Sequence, residues 1–417
     1  MGFPHSVSAD YLAYQTFDSL QAFFSTITSL LANRALLQGL GVGNADSTAT
    51  FALLVTIVKD GTSRVATIAF AHRYGLTIEP ECKRYRFLAD LFNDSAFFLE
   101  LLSPFLPGWA KIVGLSVGEA LRAFCGVAAG ASKAALSSHF ALFDNLAELN
   151  AKEASQETAV GLCGLLVGSI VVRWVEGQWA VFGLMILLVF AHLWMNYLGV
   201  RCVKLRTLNR QRATILFRHY LETSRVLDTG RILDTEAVRK QESIVFWKPV
   251  MKNVFGNISA TVSFAKSYCD AVGGGKNDVT VMEESSYTLF AWKRASGPMS
   301  IKIMLWDNAS PLDAILAWFH AMEIAWAMDI PEGAPPPTHN QATSDDKTPA
   351  NNGRIRGAIL DSVLDRVPEW RNNKFVQKLK DAGWDTSSSS FETEAPIRLS
   401  RVARHHERED GGEKKQQ

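Results

Sequence analysis

Along the first third of the chain, polar and apolar positions recur at helical spacing. Asp10, Tyr14, Asp18 and Gln21 fall on one side of the opening segment, and Leu20, Phe23, Phe24, Ile27, Leu30 and Leu31 on another. This predicts a first helix ended by the GLGVG run at Gly39–Gly43. A second helix is predicted over Ala45–Val58, closed by Lys59–Gly61. A third covers Lys83–Trp109 and ends near Pro104 and Pro107. A fourth covers Ala110–Leu136, and a fifth starts near Ser138 and runs into the most apolar part of the chain. There, fifteen uncharged residues (Thr158–Val172) precede a polar break at Arg173–Gln178, and twenty more run from Trp179 to Leu198. The second arm matches the roughly 20 residues that cross a bilayer, and the first spans if Arg173 snorkels. The pattern predicts a mainly α fold: a membrane-associated bundle of about six helices in residues 1–200, with a transmembrane hairpin at 158–198. Only the two hairpin helices are expected to insert unaided. The same apolar run also suits a buried hairpin in the core of a soluble protein.

After Leu198 the pattern changes. Gly199–Arg225 carries seven Arg or Lys against one Glu, so both outer ends of the hairpin are expected on the cytoplasmic, matrix or stromal side, near anionic head groups. Leu205–Arg225 reads as a basic helix, and Asp234 or Thr235 caps a short helix through Glu242. Ser286–Lys293 and Met299–Trp306 read as a β-hairpin turning through Ser296–Pro298. Ala309–Trp326 reads as an amphipathic helix with Pro311 in its first turn. Residues 201–330 are therefore expected to form a basic helix and a small α+β domain. A Pro-, Asn- and Thr-rich linker (331–353), a pair of C-terminal helices (354–384) and a disordered polar tail (385–417) follow.

Composition narrows the function. Of 417 residues, 47% are hydrophobic and 20% charged, between an ordinary soluble enzyme and a full polytopic transporter. A net charge of +1 argues against a nucleic-acid partner. Five scattered cysteines without CxxC spacing predict neither a metal site nor a disulfide framework. No secretory signal is expected from the opening residues. GLGVG lacks the strand and the GK[ST] of a phosphate loop, and no HExxH is present. A non-enzymatic protein without a cofactor is the expectation.

The polar residues inside apolar helices are the functional candidates. Arg86, Asp90 and Asp94 lie four apart on one face of the third helix, with Asn93 beside them and Glu100 further along. Carboxylates at membrane depth line a cavity or pair with a cation, and Arg122 on the fourth helix is the expected partner. A structural ion-pair cluster and a substrate or proton site both fit. The GxxxG pairs Gly114/Gly118, Gly126/Gly130 and Gly164/Gly168 are expected to let helices approach closely, within one chain or between copies. Asp144, Glu148, Lys152 and Gln156 form a polar stripe, with His139 a turn earlier as a structural or ligand histidine. His192 is a protonatable group within the second hairpin arm.

FPxSVxxDYxxYQxxDxxQ (Phe3–Gln21), GVGxADSTA (Gly41–Ala49), KDG (Lys59–Gly61), KxxRxxAD and NDxAxxLEL (Lys83–Leu101) and HFAxxxNxAExxAKExSQET (His139–Thr158) occur in order. With these motifs the chain resembles the root UVB sensitive (RUS) family over roughly residues 3–330. The resemblance implies a family of unknown biochemical function, whose plant members are associated with plastids and vitamin B6 balance. It carries no accepted catalytic residues. The apolar hairpin, with no clear second set of spans to complete a transporter, favours an integral protein of an intracellular organelle membrane that acts as a non-enzymatic regulator or scaffold, with a homo-oligomer or a hetero-oligomer with another family member as a possible assembly. The alternative is a transporter or binding protein for a small metabolite that uses Asp90, Asp94 and Arg122. Asn257-Ile-Ser and Asn308-Ala-Ser are glycosylation sequons, and the orientation predicts that both stay unmodified on expression in a eukaryotic membrane; a glycosidase-sensitive mass increase at either would reverse the orientation.

Overall fold

A computed structural model describes residues 4–39, 49–226, 231–253, 255–275, 278–293, 297–328, 373–388 and 390–400. Six long helices come first: α1 Tyr11–Gly39, α2 Ala49–Ile78, α3 Cys82–Leu102, α4 Gly108–Phe140, α5 Leu146–Trp174 and α6 Gln178–Cys202. They run alternately up and down, so α1, α3 and α5 start at one end of the bundle, where α2, α4 and α6 finish. The far end is marked by Arg34 of α1, whose Nη1 donates to the carbonyls of Val172 and Val175 at the close of α5. These are end carbonyls that the helix itself leaves unpaired. Phe105, in the 3₁₀ turn Ser103–Phe105 that carries Pro104 after α3, meets Phe182 of α6 at the same end.

α3 is the central post. It packs on α4, α1 and α6, α2 covers the outer side of α4, and α1 packs against both α5 and α6, holding the two arms of the expected hairpin apart. Gly164 and Gly168 explain how closely α1 meets α5. A Cβ built on Gly164 would fall 2.9 Å from Thr26 Cβ and 3.2 Å from the Phe23 carbonyl, and one on Gly168 would fall 2.5 Å from Leu30 Cδ1. Gly118 makes ordinary contact with α3, and Gly114 lies near Leu106 of the turn. Gly126 and Gly130 face open space instead of another helix of this chain.

Beyond the bundle, α7 Arg210–Val226 and α8 Thr235–Gln241 precede a mixed six-stranded sheet. Its strands are β1 Val250–Lys252, β2 Ile258–Phe264, β3 Val279–Glu283, β4 Tyr287–Lys293, β5 Met299–Trp306 and β6 Arg398–Leu399. The order is β1-β2-β5-β4-β3, with β6 beside β5. β4 and β5 form the expected antiparallel pair, Tyr287 opposite Leu305. α9, Pro311–Ala327, starts on a capping box in which the Ser310 side chain accepts from the Asp313 N–H and Asp313 accepts from the Ser310 N–H. Its Trp318 and Phe319 are fully buried with α7 and with Phe375 of α10, Asn373–Asp381. The Asp234 side chain caps α8 as anticipated.

Tertiary packing moves several boundaries. α2 runs straight through Lys59–Gly61, because Val55, Ala66 and Phe70 continue one buried stripe across it and Lys59 pairs with Glu119 of α4 at 3.4 Å. The helix expected from Ser138 is broken: Val7 bridges Ala141, Asp144 takes φ +51°, and α5 begins at Leu146. Asp144 therefore leaves the helical stripe, and His139 belongs to the end of α4. Residues 203–209 interrupt the basic helix, which starts at Arg210. α4 joins α5 and α6 as a third helix long and apolar enough to cross a membrane, since between Lys111 and Lys133 only Glu119 and Arg122 are charged. The expected tail starts later than Asp385, because Thr207 bridges Asp385, Phe391 is fully buried and β6 joins the sheet. Most of GLGVG, the 331–353 linker, the first of the two C-terminal helices and residues 401–417 lie outside the described residues. Gly164→Leu is expected to cost about 1–3 kcal/mol through overpacking and to lower the thermal midpoint of the purified chain. Gly161→Leu, which meets nothing within 4 Å, serves as the neutral reference; equal midpoints would remove the close α1–α5 approach.

Candidate functional site

The polar face of α3 meets polar residues of α1 and α6 at the centre of the bundle. Arg86 Nη2 donates to Asp18 Oδ1 at 2.8 Å and to Gln21 Oε1 at 3.3 Å, while Nη1 reaches Asp90 Oδ1 at 3.2 Å. Its Nε donates to the Tyr14 hydroxyl at 3.4 Å. Asp90 also accepts from the side-chain amides of Gln21 and Asn196. His192 stands between two carboxylates, Nδ1 at 2.8 Å from Asp94 and Nε2 at 3.6 Å from Asp90. Asp90, Asp94, His192 and Asn196 are all buried. Three carboxylates thus face one guanidinium and one imidazole. With every group counted as ionised, the carboxylates exceed the two cations by one.

Of the residues singled out beforehand, Asp90 and Asp94 share this cluster with Arg86 and His192. Asn93 is half-buried beside it and outside the network. Arg122 is not Asp90's partner; it clamps Glu100 through Nε (3.2 Å) and Nη2 and lies over the Phe97 ring at 4.9 Å. The register explains this, since Glu100 lies ten residues along α3 from Asp90, almost three turns further on. His139 belongs to a second cluster at the near end of the bundle. Its Nε2 lies 3.0 Å from Asp10, which also accepts from Ser8 Oγ and the Lys204 N–H, each at 2.6 Å. Burial alone would raise the Asp10 carboxyl; the His139 hydrogen bond and charge, with Ser8 and Lys204, outweigh it and hold Asp10 below the usual carboxylate range. One carboxylate thereby ties the start of α1 to the ends of α4 and α6.

A third cluster was not foreseen. At the start of α3, Lys83 pairs with Glu242, and Arg212 Nη1 reaches the other Glu242 oxygen at 3.0 Å. All three side chains are buried. Burial pushes the Glu242 carboxyl up, but the Lys83 ammonium and Arg212 guanidinium overcome it and hold it below its ordinary value. Asn209 adds a bond from its side-chain amide to the Pro80 carbonyl at 2.9 Å. Asn196 also escaped the sequence reading, although its place one turn after His192 in an otherwise apolar helix was a signal. Among the described residues no group of three or more His, Cys, Asp or Glu is arranged to hold a metal.

Two changes test these assignments. Arg86→Met strands Asp18 and Asp90 in the core and is expected to cost about 3–5 kcal/mol, read as a lowered unfolding midpoint of the purified chain. Because the folded pKa of Glu242 lies below its unfolded value, its pairing stabilises above about pH 4.5 and the contribution is lost as pH falls through that region. Glu242→Gln should therefore flatten the acid limb of the stability profile; an unchanged limb would remove the interdomain ion pair from the account.

Comparison with known proteins fits this architecture. Residues 1–224, which contain the whole bundle and most of α7, match the family described as the vitamin B6 photo-protection and homoeostasis domain. Protein root UVB sensitive 3 of Arabidopsis thaliana is 32% identical over 339 residues, covering 79% of this chain and 74% of its own length. RUS family member 1 of Dictyostelium discoideum is 37% identical over 53% of this chain, and root UVB sensitive 2, chloroplastic, of Arabidopsis is 31% identical over 54%. The matches span 42% and 51% of those two relatives. No solved structure matches the chain. The matched region contains the three helices that, among the described residues, have membrane-spanning length and composition, together with the buried Arg86 cluster, and on this match the chain belongs to the root UVB sensitive family.

Proposed function

We propose that this protein is a non-enzymatic integral membrane regulator of vitamin B6 homeostasis, whose bundle core holds a shared proton and whose sheet domain reports that state on the cytosolic, matrix or stromal side. The observation that carries the reading is the buried cluster of Asp18, Asp90 and Asp94 around Arg86 and His192, with its one uncompensated negative charge. A buried charge without a partner is costly, and an added proton shared between the carboxylates removes the cost. The membrane setting is supported by α4, α5 and α6 and by the far end of the bundle. There Trp109, Trp174 and Trp179 are 74%, 82% and 89% exposed, as in the aromatic belt of a bilayer interface. Coupling is supported by position: α3 carries Asp90 and Asp94 in its middle and the Lys83–Glu242–Arg212 cluster at its start, against α7 and α8. The link to vitamin B6 rests on the family's description.

The test is hydrogen exchange of the full chain in lipid nanodiscs, read at α7 and α8 between pH 5 and pH 8. Asp94→Asn leaves two carboxylates facing Arg86 and His192, so the cluster balances without the added proton, and a retained unfolding midpoint shows that the variant is folded. Wild type is expected to change protection with pH and Asp94→Asn to lose that change; identical profiles would end the coupled-regulator reading. The unbalanced cluster also suits proton-linked transport of a small metabolite. Uptake of pyridoxine into proteoliposomes driven by a pH gradient, and abolished by Asp94→Asn, would select transport over regulation.

A further inference from the structure

α2 buries one side against α4 and leaves the other bare. Val55, Ala66 and Phe70 face inward, and Lys59 meets Glu119. On the opposite side Leu53, Ile57 and Ile68 are 60%, 57% and 70% exposed, and Asp60 and Arg64 are exposed among them. Ile57, Gly61, Arg64, Ile68, Ala71 and Gly75 alternate in steps of four and three, the spacing of a two-helix seam. All six are exposed. A Cβ built on Gly61 or Gly75 meets nothing within 4 Å, although glycine inside a helix costs stability. Asp60 and Arg64 have no hydrogen bond or ion pair among the described residues. Of the Lys59–Asp60–Gly61 run, only the lysine has its partner within this chain.

Depth makes this face costly. α2 and α4 run in the same direction, and Glu119, level with Lys59, lies ten residues or about 15 Å from Trp109 at the far aromatic end. Asp60 and Arg64 therefore stand within the roughly 30 Å of a bilayer core. Charges at that depth face one another or a protein partner, because facing lipid is expensive.

We propose that α2 forms the interface of a symmetric dimer, with α2 of a second copy of this chain alongside it in the same direction. In a two-fold interface residue i meets j and j meets i. Asp60 of each copy then lies about 6 Å along the axis from Arg64 of the other, within the reach of an arginine, and the four charges sum to zero. Gly61 lets the two backbones approach at this level, and Ile57 and Ile68 close the seam on either side of the charges. A lipid-facing α2 leaves all four charges in hydrocarbon. The depth of α2 rests on the membrane reading of the bundle; the proton held in the core does not enter.

Disulfide trapping in membranes of cells expressing the full chain tests the contact, with the exposed Cys163 and Cys269 replaced by alanine. Gly61→Cys is expected to give a linked species of twice the single-chain mass on oxidation, and Ile170→Cys, exposed on α5, to stay at single-chain mass. Sedimentation of the chain in mild detergent reads the strength of the dimer. Asp60→Arg gathers four cations and is expected to weaken it by about tenfold or more, whereas Asp60→Arg combined with Arg64→Asp restores it; a retained cooperative unfolding transition shows that each variant is folded. Resistance to alkaline extraction reports insertion separately, so a trapped dimer in an extractable protein would end the membrane reading and keep the interface. Single-chain mass for wild type, equal trapping at Ile170→Cys, or a dimer indifferent to Asp60→Arg would each overturn the interface.

Discussion

The bundle depends on keeping one largely buried guanidinium, Arg86, satisfied by the protein itself. Its donors reach Asp18, Gln21, Asp90 and the Tyr14 hydroxyl, so α1 and α3 must stay in a fixed register. Asp90 and Asp94 then fix α6 through Asn196 and His192. An apolar helix pair could slide by a turn at little cost. A buried charge network cannot, because any slip leaves charges unpaired at several kcal/mol each. Around this post the other helices contribute packing: α4 and α2 on one side, and α5 drawn to α1 by its glycines on the other.

The same helix joins the two halves of the protein. Lys83 lies one turn before Arg86 on α3 and is buried against Glu242, which Arg212 also holds. The middle of α3 is therefore joined to α7 and the segment after α8 through buried charges. Asp10 acts in parallel, collecting the N-terminal segment, His139 and the Lys204 amide at one carboxylate. The near end of the bundle is thus rigidly tied, whereas the far end presents mainly aromatic and aliphatic side chains. This asymmetry is what the membrane proposal uses: ordered polar contacts where water is available, and exposed tryptophans where an interface would lie.

Much of this was legible in the pattern of residues. The 3.6-residue period marked the helices, the apolar run marked α5 and α6, and two short strand-like runs either side of Ser296–Pro298 marked β4 and β5. The four-residue spacing of Arg86, Asp90 and Asp94 placed them on one face without neighbours. What covers that face was not readable: Asp18 and Gln21 come from 65 to 72 residues earlier and His192 and Asn196 from about a hundred residues later, and no local rule pairs them. Arg122 was read as a partner for the carboxylates of α3, but that it meets Glu100 was not readable, because side-chain reach along two packed helices depends on their relative register.

Local composition, then, determined element type, the apolar character of α4 to α6 and the polar face of α3, because these follow from backbone sterics and the burial of alternating positions. Tertiary structure decided the rest. It carried α2 through Lys59–Gly61 because α4 offered Lys59 a carboxylate and Phe70 a place to bury. It broke the chain at Ala141 because Val7 and Ser8 supply competing backbone bonds. It placed residues 390–400 on the sheet because β5 runs past the last β2 pair, leaving Leu305 and Trp306 to pair with β6, and because Phe391 is buried in the core. In each case a contact distant in sequence outweighed a preference worth a fraction of its energy.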